Sequence, residues 1–183
     1  MMSNHKNILI ILFALLSFSF GKERYITREG VISFFSSTPL EDIKAINKQV
    51  SCVLDKGTGE FAFQLPIKGF IFKNALMQEH FNESYLESDI YPKSVFKGKI
   101  LDWNAIQLSE NPAEVFIEGD LTIHGVKQKI TQPGKIWRSS KSIIGESNFN
   151  VELVDYNVKV PKVVRSNIAE VINVNVSVQL NPR

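Results

Sequence analysis

Period-two alternation of apolar and polar residues recurs along most of this chain. No other feature constrains the fold as much, because only an extended strand places residues i, i+2 and i+4 on one face. Gly59 to Lys68 puts Phe61, Phe63, Leu65 and Ile67 on one side, with Glu60, Gln64 and Lys68 on the other. Glu114 to Ile123 sets Val115, Ile117, Leu121 and Ile123 against Glu114, Glu118 and Asp120. The last run is the most regular: Ile172, Val174, Val176, Val178 and Leu180 alternate with Asn173, Asn175, Ser177 and Gln179. Weaker runs cover Gly30 to Ser37, Asn47 to Leu54, Ser94 to Leu101, Val126 to Gln132 and Ser142 to Val151. Asp55-Lys56-Gly57-Thr58-Gly59 and His124-Gly125 read as hairpin turns, since glycine takes positive φ without steric cost. About eight strands with one apolar and one polar face predict an all-β barrel or sandwich.

Two stretches break the rhythm. Thr38-Pro39-Leu40-Glu41-Asp42-Ile43 combines a capping threonine, a proline at the first helical position and early acids, which predicts a short helix. Lys73 to Glu87 carries Ala75, Leu76, Phe81 and Tyr85 near helical spacing and predicts a helical insertion. An irregular loop follows it to Tyr91-Pro92, where the residue before proline is biased away from helix. No linker or repeat marks a second domain.

The amino terminus reads as a leader rather than as fold. Lys6 precedes an unbroken apolar run from Ile8 to Leu16, followed by small residues at Ser17, Ser19 and Gly21. That pattern predicts a secretory signal peptide over 1–21, with cleavage after Ser19 or Gly21 and an uncleaved membrane anchor as the alternative, and a single domain over 22–183. Spanning a bilayer takes about 20 apolar residues, so no integral span is expected once the leader is removed. The expected location is periplasmic or secreted. Charge is nearly balanced, 21 Lys and Arg against 19 Asp and Glu, which argues against a nucleic-acid partner. The single cysteine, Cys52, excludes an intramolecular disulfide framework. In mid-strand it reads as a small buried hydrophobe, with an intermolecular disulfide as the alternative.

Signals for chemistry are sparse. A catalytic histidine in the domain must be His80 or His124, and no G-x-S-x-G elbow accompanies either. His124 sits beside a turn glycine, where an imidazole serves by bonding backbone. In Glu79-His80-Phe81-Asn82-Glu83, His80 and Glu83 share a helical face, but H-E-x-x-H is missing and the stretch reads as a solvated polar face rather than a metal site. Gly57-Thr58-Gly59 lacks the third glycine and helix of a dinucleotide loop, so no cofactor is implied. The remaining signal is aromatic: of 13 phenylalanines, Phe61, Phe63, Phe70, Phe72, Phe81 and Phe96 crowd into one region, with Tyr85 among them. Either these rings fill a core, or they line a cavity, since a small barrel has room for side chains or for one small ligand. Periodicity leaves both readings open.

Three stretches resemble the YceI-like family of exported, polyisoprenoid-binding, lipocalin-like proteins. They are Gly30-Val31-Ile32-Ser33-Phe34; Met77 to Glu83 continuing through Tyr91-Pro92-Lys93 and Phe96-Lys97-Gly98; and Gly119-Asp120-Leu121-Thr122-Ile123-His124-Gly125-Val126. The resemblance spans about residues 25 to 180. It implies an eight-stranded antiparallel lipocalin-like barrel, here with a short helix and a helical insertion, around a long apolar channel. It further implies a polyisoprenoid or other long-chain lipid as partner, with Phe34, Phe61, Phe63, Phe70, Phe72, Phe96 and Phe149 as channel wall. His80, Phe81 and Tyr85 would stand near the headgroup at the mouth. The expected function is non-catalytic lipid binding, by sequestration or carriage. The alternatives are the same fold with a filled interior acting as an interaction or stress-associated domain, and an enzyme using His80 with Glu79 or Glu83. Such barrels can also pair through exposed strands or helices, so a homodimer is among the expected assemblies.

Overall fold

The computed structural model describes residues 23–183, so the leader expected over 1–21 lies outside the described residues. Nine strands are present among the described residues: β1 (Arg24–Ser37), β2 (Asp42–Asp55), β3 (Glu60–Pro66), β4 (Ile71–Phe72), β5 (Lys93–Ile100), β6 (Ala113–Ile123), β7 (Val126–Ser139), β8 (Ser142–Glu152) and β9 (Val171–Pro182). Every pairing is antiparallel, in the order β1-β9-β8-β7-β6-β5-β3-β2. β1 also pairs with β2, which closes the sheet on itself and leaves it no outer edge strand. β3 and β4 are one lane of the barrel, both pairing with β2 and separated by a 3-10 turn at Ile67–Gly69. The result is a closed eight-stranded antiparallel barrel.

That interruption has a cause in one side chain. Asn47 is fully buried on β2; its Nδ2 donates to the Pro66 carbonyl at 2.8 Å and its Oδ1 accepts from the Gln49 amide at 2.8 Å. Gly69 lies so close that a Cβ there would sit 2.7 Å from Asn47 Nδ2. A buried amide needs its hydrogen bonds satisfied, and this one is satisfied by bending the neighbouring lane.

The predicted hairpins form as glycine geometry requires. Gly59 and Gly125 both have φ +73°, and His124 precedes the latter at φ 50°. The barrel is solid at the end where β1 begins and β9 ends. Val50, Leu54, Ile143 and Leu180 are buried there, each burial worth about 1.5–3 kcal/mol. Trp103 covers the Asp55–Gly59 turn, its Nε1 donating to the Lys56 carbonyl at 2.8 Å.

The helix expected at Thr38 to Ile43 does not form. Thr38 Oγ1 does accept from the Leu40 and Glu41 amides, as a cap would, but the Thr38 amide donates back to the Glu41 carbonyl at 3.0 Å and closes a hairpin. Asp42 already pairs with Ser37, and the ladder continues down both strands. Threonine capping serves turns as well as helices, and one helical turn cannot compete with a 14-residue ladder. The helical insertion does form. α1 (Ala75–His80) is capped by Asn74, whose Oδ1 accepts from the Leu76 amide at 2.9 Å, and a π-helical turn, Phe81–Tyr85, continues it. It stops at Glu87, in the left-handed region at φ 43°. Ala75 and Leu76, expected on the apolar face, are exposed instead.

Candidate functional site

Above its solid end the barrel is hollow. A cavity of about 380 Å³ runs from Phe61, Phe96 and Ile117 up to the opposite end, within the range of small-molecule pockets. Its floor is shaped by a pair of glycines. Gly98 on β5 and Gly119 on β6 are directly paired, and a Cβ on either would lie 2.7 Å from Phe96 Cζ. The Phe96 ring therefore lies across a shelf that no other residue pair would leave, with the Phe61 ring 5.1 Å away.

Every residue expected at the channel borders this one space. Phe34, Phe61, Phe63, Phe70, Phe72, Phe96 and Phe149 line it, as do His80, Phe81 and Tyr85. The division between wall and mouth is less sharp than expected. Phe34, Phe70, Phe72 and Phe81 form one cluster, with Phe81 5.0–5.5 Å from the other three rings in centroid distance. The insertion thus drives Phe81 down among the wall rings, while His80 stays exposed on the rim.

The serines along the wall are engaged with the protein itself. Ser94 Oγ donates to the Thr122 carbonyl at 2.9 Å, and Ser147 Oγ to the Pro133 carbonyl at 2.6 Å. Ser36 Oγ accepts from the Ala169 amide at 2.9 Å, and Glu41 Oε2 accepts from Asn167 Nδ2 at 3.0 Å at the rim. Burial raises the Tyr156 phenol to about 12, helped by the Asp155 charge, and burial also raises Tyr85; both stay neutral at ordinary pH. Such a wall can hold an apolar chain by burial, with polar contacts confined to the rim around His80, Tyr85, Glu41 and Asn167. Among the described residues, no group of three His, Cys, Asp or Glu side chains is gathered to hold a metal ion.

A family model for the YceI-like domain matches residues 27–180. The chain belongs to the YceI-like family. Solved structures agree on the fold at low identity. A polyisoprenoid binding domain from Saccharophagus degradans, implicated in plant cell wall breakdown, superposes with TM-score 0.76 at 14% identity, covering 87% of this chain and 98% of that one. BcnA of Burkholderia cenocepacia gives 0.69 at 14% identity, covering 82% and 95%. A Campylobacter jejuni YceI protein gives 0.59 at 18% identity, covering 76% and 84%. The comparison with curated proteins found no match.

Two parts of this YceI-like barrel went unread in the sequence. The first is the segment between β8 and β9, which folds over the mouth and lines it with Val158, Val160, Val164 and Ile168. Val158-Lys159-Val160 does alternate, so a signal existed, but it is too short to distinguish a lip from a strand. The second is the reach of His124, which makes the backbone bond expected of it, but to a distant carbonyl and beside a carboxylate. Its Nε2 lies 2.7 Å from Glu87 Oε2, its Nδ1 3.2 Å from the Tyr156 carbonyl, and its ring 4.7 Å from Tyr91. The turn histidine thus staples the helical insertion to the segment after β8, and with them the two sides of the mouth. Its partners are 32 and 37 residues away, and no local pattern exposes that.

Proposed function

We propose that this protein binds a polyisoprenoid or similar long-chain lipid in the barrel cavity and shields it from water, without covalent chemistry. The observation that carries the reading is the hollow, almost wholly apolar interior, open at an end where polar side chains collect. Apolar burial supplies about 0.8 kcal/mol per methylene, so a hydrocarbon chain is the ligand such a wall rewards. Family membership and the name of the Saccharophagus degradans neighbour point the same way. In this reading Phe61, Phe63, Phe96 and Phe149 contact the chain along its length, and the cluster of Phe34, Phe70, Phe72 and Phe81 grips it near the mouth. His80 and Tyr85 face the headgroup. With the leader removed, the protein would act in the periplasm or outside the cell, as a carrier or store for lipid drawn from an envelope membrane.

The test is to purify the protein from its native envelope, extract it with organic solvent and examine the extract by mass spectrometry. A co-purified isoprenoid, or saturable uptake of added prenyl alcohol by the emptied protein, is the expected result. An extract without lipid together with no uptake overturns the reading. Unchanged uptake by His80→Ala would remove His80 from the headgroup contact while leaving the channel intact.

A further inference from the structure

Three tips frame the mouth, and each carries an aliphatic side chain turned away from the cavity. Leu40 in the β1–β2 hairpin is 67% exposed, Leu76 in α1 57%, and Val163 in the segment between β8 and β9 88%. Their neighbours face the other way: Glu41 and Ile43, Met77 and His80, and Val160 and Val164 all line the cavity. The bonds from Asn167 to Glu41 and from the Ala169 amide to Ser36 tie the segment after β8 to the hairpin, so Leu40 and Val163 belong to one lip. Exposed apolar residues occur elsewhere on this protein, Phe116 and Ile90 among them, and what sets these three apart is their common position around one opening.

The β8–β9 part of this lip is also charged with one sign. Between Asp155 and Glu170 the chain carries Lys159, Lys162 and Arg165 and no carboxylate, and all three cations are exposed. Among the described residues none of the three takes part in an ion pair. The two carboxylates of the lip's hairpin are already engaged by neighbouring side chains, and others stand across the mouth. Glu41 and Asp42 accept from Asn167 and Ser37, and Glu79 and Glu83 stand across the mouth on the helical insertion. The amide of Arg183 bonds the carbonyl of Arg24 at the solid end, far from this surface.

We propose that this lip docks the barrel, mouth first, on an anionic lipid bilayer. Lys159, Lys162 and Arg165 meet the headgroup phosphates, while Leu40 and Val163 enter the interface, as in amphipathic surface binders. The three tips surround a hole and offer no continuous apolar face, which disfavours a protein partner. For its purpose the proposal rests on the lipid-binding reading: a chain can pass between bilayer and cavity without crossing water only if the mouth meets the membrane.

Sedimentation with vesicles tests it, using phosphatidylcholine alone and phosphatidylcholine mixed with phosphatidylglycerol. The expected result is binding to the mixed vesicles that weakens as salt is added. Replacing Lys159, Lys162 and Arg165 together with Gln should reduce the partition coefficient at least about ten-fold, as each cation near an anionic surface contributes about five-fold. Leu40→Ser with Val163→Ser should weaken binding at low salt as well. These residues lie outside the cavity, so uptake of a fluorescent prenyl alcohol in solution should match the parent protein in every variant, which also reports that each is folded. Equal binding to both vesicle types, no binding, or parental binding by the triple variant overturns the proposal. So does a dimer in solution that the two serines dissociate, which would assign the patch to a second copy. If vesicle docking holds while uptake fails in every protein, the lipid-binding reading falls and the docking surface stands.

Discussion

Lengthening the hydrocarbon offered to the barrel should strengthen binding step by step and then stop doing so. Each methylene removed from water contributes about 0.8 kcal/mol, which is roughly a four-fold change in Kd. A methylene takes up about as much room as a water molecule, roughly 30 Å³. A cavity of about 380 Å³ then encloses on the order of a dozen carbons, or two to three prenyl units. The gross gain of about 10 kcal/mol, less at least about 4 for association, leaves a Kd on the order of 10⁻⁴ to 10⁻⁵ M before any headgroup contact. Titration calorimetry with alcohols from about six to about twenty carbons reads both the slope and the plateau. Ile130→Trp supplies the control, because Ile130 lines the cavity on β7 directly beside Gly119 and an indole there occupies room meant for ligand. The plateau should then arrive several carbons earlier. Affinity that ignores chain length below about ten carbons, or a plateau unmoved by Ile130→Trp, would refute burial in this cavity as the source of binding.

Three further outcomes follow from the packing and the buried groups. Gly119→Ala places a methyl group against the Phe96 ring and the Lys97 carbonyl and should cost about 1–3 kcal/mol in urea unfolding; a neutral result would mean the shelf is not needed. Asn47→Leu orphans the Pro66 carbonyl and the Gln49 amide and should cost about 1–3 kcal/mol, read from the denaturant midpoint at unchanged m-value. Burial pushes the Cys52 thiol from an ordinary 9.0 up to about 12, so it should resist a disulfide reagent at pH 8 until the protein is unfolded. Above pH 9 the unfolded thiol ionises while the folded one holds its proton, so stability should fall as pH rises from 9 toward 12; Cys52→Ser should flatten the part of that fall below pH 10, where Tyr156 does not yet contribute.

What the sequence exposed and what it hid divide along the range of the interactions. Strands and their inward residues were legible because a period of two is a local property. Phe61, Phe63, Leu65 and Ile67 face the interior as alternation requires, and Ile67 does so even though its lane has turned from strand to 3-10 geometry. The His124-Gly125 turn was legible for the same reason. Hollowness was not, since it depends on volumes summed over eight lanes. The Gly98 and Gly119 that shape the floor are separated by 21 residues and adopt ordinary strand geometry, so nothing in either segment marks them as one feature. The Thr38 turn was misread because capping chemistry is shared by helices and hairpins, and the strand pairing that decides between them comes from partners outside the motif.

Departures from alternation are therefore informative in this barrel. Closed walls need little more than a repeating inside and outside, and β9 could be exchanged for many sequences of the same pattern. The mouth is built where the pattern breaks: at the hairpin tip of Thr38 to Glu41, at the insertion from Asn74 to Glu87 and at the segment from Leu153 to Glu170. Each of these carries side chains in both directions, into the cavity and out to solvent, which a strand of fixed period can do only by alternating. The bonds joining them, Glu41 with Asn167, Ser36 with Ala169, and His124 with Glu87 and Tyr156, make the irregular elements one rim rather than three loops. Selectivity for a ligand and for the surface that delivers it would then evolve at the rim with little disturbance to the barrel beneath, because most of the rim lies in the connections between strands.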